Sequence, residues 1–223
     1  NKQAGSLIPV AETAASFASL FTGKAYPYNT LYEAVERNLI YDEHTWGAAG
    51  YDDNSEQYHK QFEWKRSNAF GAKSLAGEVL GDSLDTLASA VPTAGKAVYV
   101  YNPLNWERDD VVTVEDLSGF PAHFLIKDGN ASIPYTVEDG VLTFIAPKVP
   151  ALGYKTFTVE TASAAPSFEN KAKAEGNTIE NDYYKVAFAA DGTIASILDK
   201  KNGNRELVDG GSDAKFNQYQ YYD

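Results

Sequence analysis

The hydrophobic pattern of this chain changes period at residues 92–95, and this change limits the fold more than any other feature of the sequence. Before it, apolar residues recur at the steps of three, four and seven that are typical of helices. After it, apolar and polar residues alternate at the step of two that is typical of strands. We therefore predict an α+β chain, in which an N-terminal three-helix bundle is followed by antiparallel β-sandwich units.

Three helices are predicted before the change of period. The first covers residues 12–21 and ends at Gly23, and the second runs from Pro27 to about Asp42. The third runs from Ser55 to about Ala90, which at 1.5 Å per residue is about 50 Å. A helix of that length buries its apolar stripe only against neighbouring helices, so a bundle follows. The predicted stripe consists of Tyr58, Phe62, Ala69, Ala76, Leu80, Leu84, Leu87 and Val91.

Short strands separated by turn residues are predicted after the change. Asp139-Gly140 between two alternating runs is a strong hairpin signal. The predicted strands of the first β unit cover residues 97–101, 110–114, 122–127, 133–138, 142–145 and 154–159. Residues 161–176 are predicted as a linker. The strands after it cover residues 178–181, 183–189, 194–199, 206–208 and 216–223. The predicted domains are residues 1–94 (helical bundle), 95–162 (small antiparallel β domain) and 163–223 (first strands of a second, truncated β-sandwich).

Composition excludes several classes of partner. The net charge of −12 argues against nucleic acid, whose phosphates require basic patches, and against anionic membrane surfaces. The chain has no run of about 18 apolar residues, so we predict no membrane span. It has no Cys, which is compatible with a soluble protein of a bacterial cytoplasm or periplasm. It also has no Met, and we expect it to be part of a longer chain.

Three motifs in the β region resemble glycoside hydrolase family 38, the zinc-dependent retaining α-mannosidases. They are Val100-Tyr-Asn-Pro-Leu-Asn-Trp106, Ile179-Glu-Asn-Asp-Tyr-Tyr-Lys-Val186 and Asp191-Gly-Thr-Ile-Ala-Ser-Ile-Leu-Asp-Lys-Lys201. The resemblance covers nearly the whole chain. It implies a catalytic (β/α) barrel followed by a three-helix bundle and a β-sandwich region, of which this chain corresponds to the bundle and the first part of the sandwich.

The resemblance also implies one zinc ligand, His44, at the end of the second helix. Thr45 stands where the family has an Asp that helps to hold the sugar, so the α-mannoside specificity does not carry over at this position. We predict Thr45 and Trp46 as substrate-binding residues, and Asp42 or Glu43 as carboxylates that orient the imidazole. From the residues alone, His44 could instead cap the helix, and Trp46 could pack against the bundle.

Other polar and aromatic residues receive structural interpretations. Residues 63–66 (Glu-Trp-Lys-Arg) are predicted as a face that packs on the barrel with its charges paired. His59 is predicted at the surface, and His123 is placed in a strand without a role. Three polar and aromatic residues near the end of the chain could bind sugar or could simply be polar residues of a strand. They are Asn217, Gln218 and Tyr219.

The chain does not contain a complete glycosidase site. Retaining glycosidases need a nucleophilic carboxylate and an acid/base carboxyl about 5 Å apart. The resemblance implies that the nucleophilic Asp and the other zinc ligands come from the barrel. We therefore expect the parent protein to be a glycosidase that binds a mannoside or related glycan, and this chain alone to be inactive. Two alternatives stay open: a carbohydrate-binding module, with an aromatic strip on a β face and a buried His44, or a scaffold without an exposed polar and aromatic cluster.

Overall fold

The computed structural model describes residues 1–44, 52, 54–169 and 171–221. The chain divides into two compact units, Asn1–Pro166 and Ser167–Asp223. Within the described residues, helices come first and antiparallel strands follow, which confirms the predicted α+β class and its order. The finer division into three domains stays a prediction.

The first unit begins with the predicted three-helix bundle. Its helices are α1 (Lys2–Thr22), α2 (Tyr28–Asp42) and α3 (Glu56–Ser89). Ser55 caps α3, because its hydroxyl accepts a hydrogen bond from the Tyr58 N–H at 3.1 Å. The prediction for α1 was wrong at its start, since the helix begins at Lys2 and buries Ala4 and Ile8 in turns that the sequence pattern did not reveal.

Small side chains form most of the bundle core. The core residues are Ile8, Ala11, Ala15, Leu31, Ala34, Ala76 and Val79. The stripe predicted for α3 was only partly right, because Ala76 and Leu87 are buried but Phe62 is 38% exposed. The observed buried face consists of Lys65, Asn68, Ala72, Ala76, Val79, Ser83 and Leu87. Helices approach most closely where side chains are small, so the large apolar residues lie at the flanks of the contact.

Helix α1 is long and apolar enough to cross a membrane when judged by length and composition alone. One such helix is weak evidence, since the core helix of a globular protein passes the same test. Here its alanine face is buried within the bundle, with Ala11 and Ala14 fully covered. The predicted absence of a membrane span stays a prediction.

Two antiparallel sheets follow in the first unit. The strands are β1 (Ala97–Asn102), β2 (Arg108–Val114), β3 (Phe124–Asp128), β4 (Ala131–Ile133), β5 (Tyr135–Glu138), β6 (Val141–Val149) and β7 (Gly153–Thr161). They pair in the orders β1-β7-β3-β4 and β2-β6-β5. A shared core lies between the sheets, formed by Phe124, Ile126, Leu142, Phe144, Ala146, Val149 and Phe157. This arrangement is the predicted sandwich.

Two turns of the sandwich lie where the sequence predicted a hairpin and a continuous strand, and only the hairpin was correct. The Asp139-Gly140 turn joins β5 to β6 with φ of 50° and 80°, as the hairpin signal indicated. The single strand predicted over residues 133–138 is two strands separated by Pro134. Because proline has no N–H to donate, the ladder is interrupted there, and the chain leaves one sheet for the other.

The second unit is an antiparallel sheet. Its strands are β8 (Lys173–Glu175), β9 (Thr178–Glu180), β10 (Tyr184–Phe188), β11 (Ile194–Asp199) and β12 (Arg205–Glu206), in the order β12-β11-β10-β9-β8. The predicted linker therefore contains β8. The strand predicted over residues 216–223 was wrong within the described part, where only Phe216 forms a bridge, to Ile194. Asn217 has a φ of 61°, which turns the chain away from an extended path.

Candidate functional site

The last turn of α2 carries two acids where the helix dipole disfavours them. The turn has no basic residue of its own. Asp42 is instead held by amide donors, since its Oδ2 accepts from Asn38 Nδ2 at 3.1 Å and its Oδ1 accepts from the side chain of Asn1. These neutral donors partly offset the unfavourable position of the carboxylate.

The second acid, Glu43, forms an ion pair with Lys65 of α3. Only 3% of the Lys65 side chain is exposed, whereas 36% of the Glu43 side chain is exposed. A buried ammonium group needs such a partner because its desolvation is costly. Lys65 therefore provides the positive charge that α2 lacks at its C-terminus.

His44 lies beside this ion pair and is open to solvent. Its side chain is 95% exposed, and its Nδ1 lies 3.8 Å from Glu43 Oε2, which is beyond hydrogen-bond distance. Glu43 has an extended backbone, with φ −60° and ψ 155°. The helix therefore ends at Glu43, whose carboxylate is paired with Lys65, and His44 follows it with its side chain in solvent.

The other predicted site residues are only partly placed. Thr45 and Trp46 lie outside the described residues, so their roles stay predictions. His59 is exposed on α3, with its ring edge-on to Tyr58 at 5.7 Å. His123 was wrongly placed in a strand, since it is an exposed residue just before β3.

His44 can supply one of the protein ligands that a zinc site needs. In the described part of the chain, no three His, Cys, Asp or Glu residues come together as a metal-binding group. Catalytic zinc sites take three protein ligands and leave a position for water or substrate. An outward imidazole nitrogen can supply one of the three, and the others have to come from elsewhere in the protein.

Residues 63–66 were predicted to form an outward face with paired charges, and this was wrong for one of the four residues. Lys65 faces the bundle rather than an external partner, and it is 2% exposed. Trp64 is 55% exposed, and Arg66 pairs with Glu63 at 3.3 Å, as expected for an outer face. The Arg66 guanidinium lies 5.4 Å from the centre of the Phe70 ring. An open cavity of about 380 Å³ borders this face, and its lining includes Tyr41, Phe62, Arg66 and Phe70.

Sequence reasoning missed a polar seam between α2 and α3. Arg37 Nε donates to Glu33 Oε1 at 2.8 Å, and its Nη1 lies 3.5 Å from Asn68 Oδ1. Asn68 and Lys65 are buried on the same face of α3 as Ala72. A signal for this was present in the sequence, because Lys65, Asn68 and Ala72 follow at helical steps of three and four.

The second unit contains an apolar cavity rather than a polar cleft. It measures about 500 Å³, and one row of its lining crosses the sheet through Ile179, Val186, Ile197 and Leu207. The proposed sugar-binding group of the tail is not gathered there, since Tyr219 is 87% exposed and Gln218 Oε1 accepts from the Lys215 N–H at 2.9 Å.

Three titratable groups outside the His44 region have strongly shifted pKa values. Hydrogen bonds from Ser196 and from the backbone N–H groups of Val208 and Ile197 lower the pKa of Glu206 to about 2. Burial raises the pKa values of Tyr99 and Tyr101 to about 12. These shifts describe a structural carboxylate and half-buried phenols, and none of these groups lies in the α2–α3 region that carries His44.

Comparison with solved structures shows which known fold this is. An α-mannosidase from Enterococcus faecalis V583 matches with a TM-score of 0.59 and 17% identity, over 92% of this chain and 28% of that protein. A protein in the glycosyl hydrolase family 38 from Enterococcus faecalis matches with a TM-score of 0.62 and 16% identity, over 92% of this chain and 29% of that protein. The chain has the fold of that region.

The resemblance stated from the motifs is therefore confirmed at the level of the fold. This chain spans less than a third of the length of the two solved proteins. No family model matches the sequence, and no curated protein matches it.

Proposed function

We propose that this chain is the bundle and sandwich region of a glycoside hydrolase family 38 enzyme that hydrolyses α-mannosides or related glycans. In this proposal His44 completes a zinc site whose other ligands belong to a catalytic barrel, which the bundle also braces. The observation that carries it is the outward imidazole of His44, 95% exposed at the end of α2, on a fold shared with an α-mannosidase.

The contribution of this chain to the chemistry is limited to binding and positioning. Zinc, when bound, would polarise or orient sugar oxygens as a Lewis acid. His44 would hold the metal through a neutral imidazole nitrogen, and the fixed end of α2 would hold His44. The nucleophilic and acid/base carboxylates would come from the barrel, so the isolated chain should not turn over substrate.

A carbohydrate-binding module is the second candidate, and one observation favours it. Tyr99 and Tyr154 stack at 4.8 Å on the first sheet. Val98 and Val100 pack into the sandwich core, so Tyr99 lies on the opposite, outer face. The binding-module hypothesis also predicts a buried His44, which the exposed imidazole argues against. The scaffold hypothesis predicts no exposed polar and aromatic cluster, whereas Arg66 and the exposed Phe70 form one.

The test is the zinc content and aryl α-mannosidase activity of the full-length protein that carries this chain. We expect His44→Ala to lose both, while the matched control His59→Ala, an exposed histidine on α3, keeps both. Unchanged zinc and turnover in His44→Ala would return His44 to a role at the helix end. Turnover by the purified 223-residue chain, free of contaminating enzyme, would contradict the proposed division of labour.

A further inference from the structure

Lys65 is the one charged residue that is buried within the described part of the chain. It lies on the face of α3 that packs into the bundle, in line with Asn68 and Ala72. A lysine in that position costs stability unless its ammonium group is paired, and an apolar side chain of similar volume would often be as stable or more so. Its presence therefore calls for a reason other than packing.

The partner of Lys65 suggests that reason. Its ammonium group pairs with Glu43, the residue that ends α2 and immediately precedes His44. The pair joins a buried point on α3 to the residue at which the chain leaves α2. Because α2 has no basic residue in its last turn, Lys65 also supplies the positive charge that stabilises this helix end.

The backbone at Glu43 transmits this anchoring to His44. Glu43 has φ −60° and ψ 155°, so the chain leaves the helix at this residue, and the ion pair fixes the backbone position from which the next residue, His44, projects. His44 Nδ1 lies 3.8 Å from the Glu43 carboxylate, which is longer than a hydrogen bond. A polar seam beside it, from Glu33 through Arg37 to Asn68, ties the same two helices together and limits their sliding.

We propose that Lys65 is a positioning residue for the metal site, acting through the Glu43 ion pair to fix the backbone from which His44 projects. The inference rests on the proposed function, because it assumes that His44 is a zinc ligand. It differs from the expectation that the Glu43 carboxylate itself orients the imidazole, since here Glu43 acts through the backbone. Outer partners of metal ligands typically contribute about 10- to 100-fold to metal affinity.

The experiment measures zinc affinity of the full-length protein by competition with a chelator, for wild type, Lys65→Met and Lys60→Met. Lys60 is the matched control, an exposed lysine on α3 paired with Glu56. We expect Lys65→Met to weaken zinc binding about tenfold and Lys60→Met to leave it unchanged. In the metal-free protein, Lys65→Met should also speed amide hydrogen exchange in the last turn of α2. A purely structural lysine would lower the melting temperature without changing the zinc affinity of the folded protein.

A second variant keeps the test decisive if Lys65→Met does not fold. Glu43→Gln retains an acceptor for the ammonium group but removes the charge, and it should weaken zinc binding in the same direction. In the Glu43→Gln background, Lys65→Met should have little further effect, as expected for two residues that act as one unit.

The outcomes separate this inference from the proposed function. Loss of zinc in His44→Ala with unchanged affinity in folded Lys65→Met would overturn the role of Lys65 and leave the proposed function standing. Retention of zinc in His44→Ala would overturn the proposed function and this inference together. Equal weakening by Lys65→Met and Lys60→Met would also overturn it, since the effect would then reflect net charge.

Discussion

Asn102 is a residue at which a single substitution should strongly destabilise the β-sandwich of the first unit. It is 2% exposed and lies at the end of β1, within one of the motifs that carry the family resemblance. Its Nδ2 group donates to the carbonyl oxygens of Trp106 at 2.8 Å, Pro150 at 3.1 Å and Val149 at 3.2 Å. Its Oδ1 accepts from the Leu104 N–H at 3.1 Å. One side chain thus ties the loop after β1 to the end of β6.

The cost of Asn102→Ala follows from these bonds. An intramolecular hydrogen bond contributes about 1 kcal/mol net, and a buried carbonyl left without a donor costs about 1–3 kcal/mol. Loss of the side chain should therefore lower the free energy of unfolding by about 4 kcal/mol. Asn102→Asp should cost more at neutral pH, because a charged acceptor would face carbonyl oxygens in a buried place.

Urea unfolding followed by tryptophan fluorescence measures this effect. All three tryptophans, at positions 46, 64 and 106, precede the boundary of the two units, so the signal reports on the first unit. The control is Asn105→Ala, an exposed asparagine in the same loop, which should change the free energy by less than about 0.5 kcal/mol. Equal effects of Asn102→Ala and Asn105→Ala, or an Asn102→Asp protein as stable as wild type, would refute the reasoning.

Three further predictions concern stability. Phe157→Ala, in the sandwich core, should cost about 3–5 kcal/mol by urea unfolding, whereas the exposed Val137→Ala should cost little. Gly140→Ala should cost about 1 kcal/mol because residue 140 has a φ of 80°, and the same assay measures it. Glu206 has a pKa lowered from 4.5 to about 2. Its stabilisation should be complete above pH 4.5 and lost as the pH falls through about 2. The gap in melting temperature between wild type and Glu206→Gln, followed by circular dichroism, should close over that range, and a constant gap would contradict the assignment.

Several features of this protein were determined by the sequence alone. The change of hydrophobic period after residue 91 separated helices from strands, because side-chain spacing along a helix or a strand is a property of the local backbone. Asp139-Gly140 was predicted as a hairpin turn for the same reason, since such a turn depends on only a few neighbouring residues. The motifs of the β region also led to the fold that the comparisons confirm.

Only the tertiary structure decided which side chains are buried and how the candidate site is built. Large apolar residues such as Phe62 were predicted inside, yet close packing on small side chains left Phe62 partly exposed. The burial of Lys65 depends on Glu43, a partner from another helix that no local pattern can supply. No local pattern could show this pairing, because the energy of a buried charge is set by the groups brought to it in space.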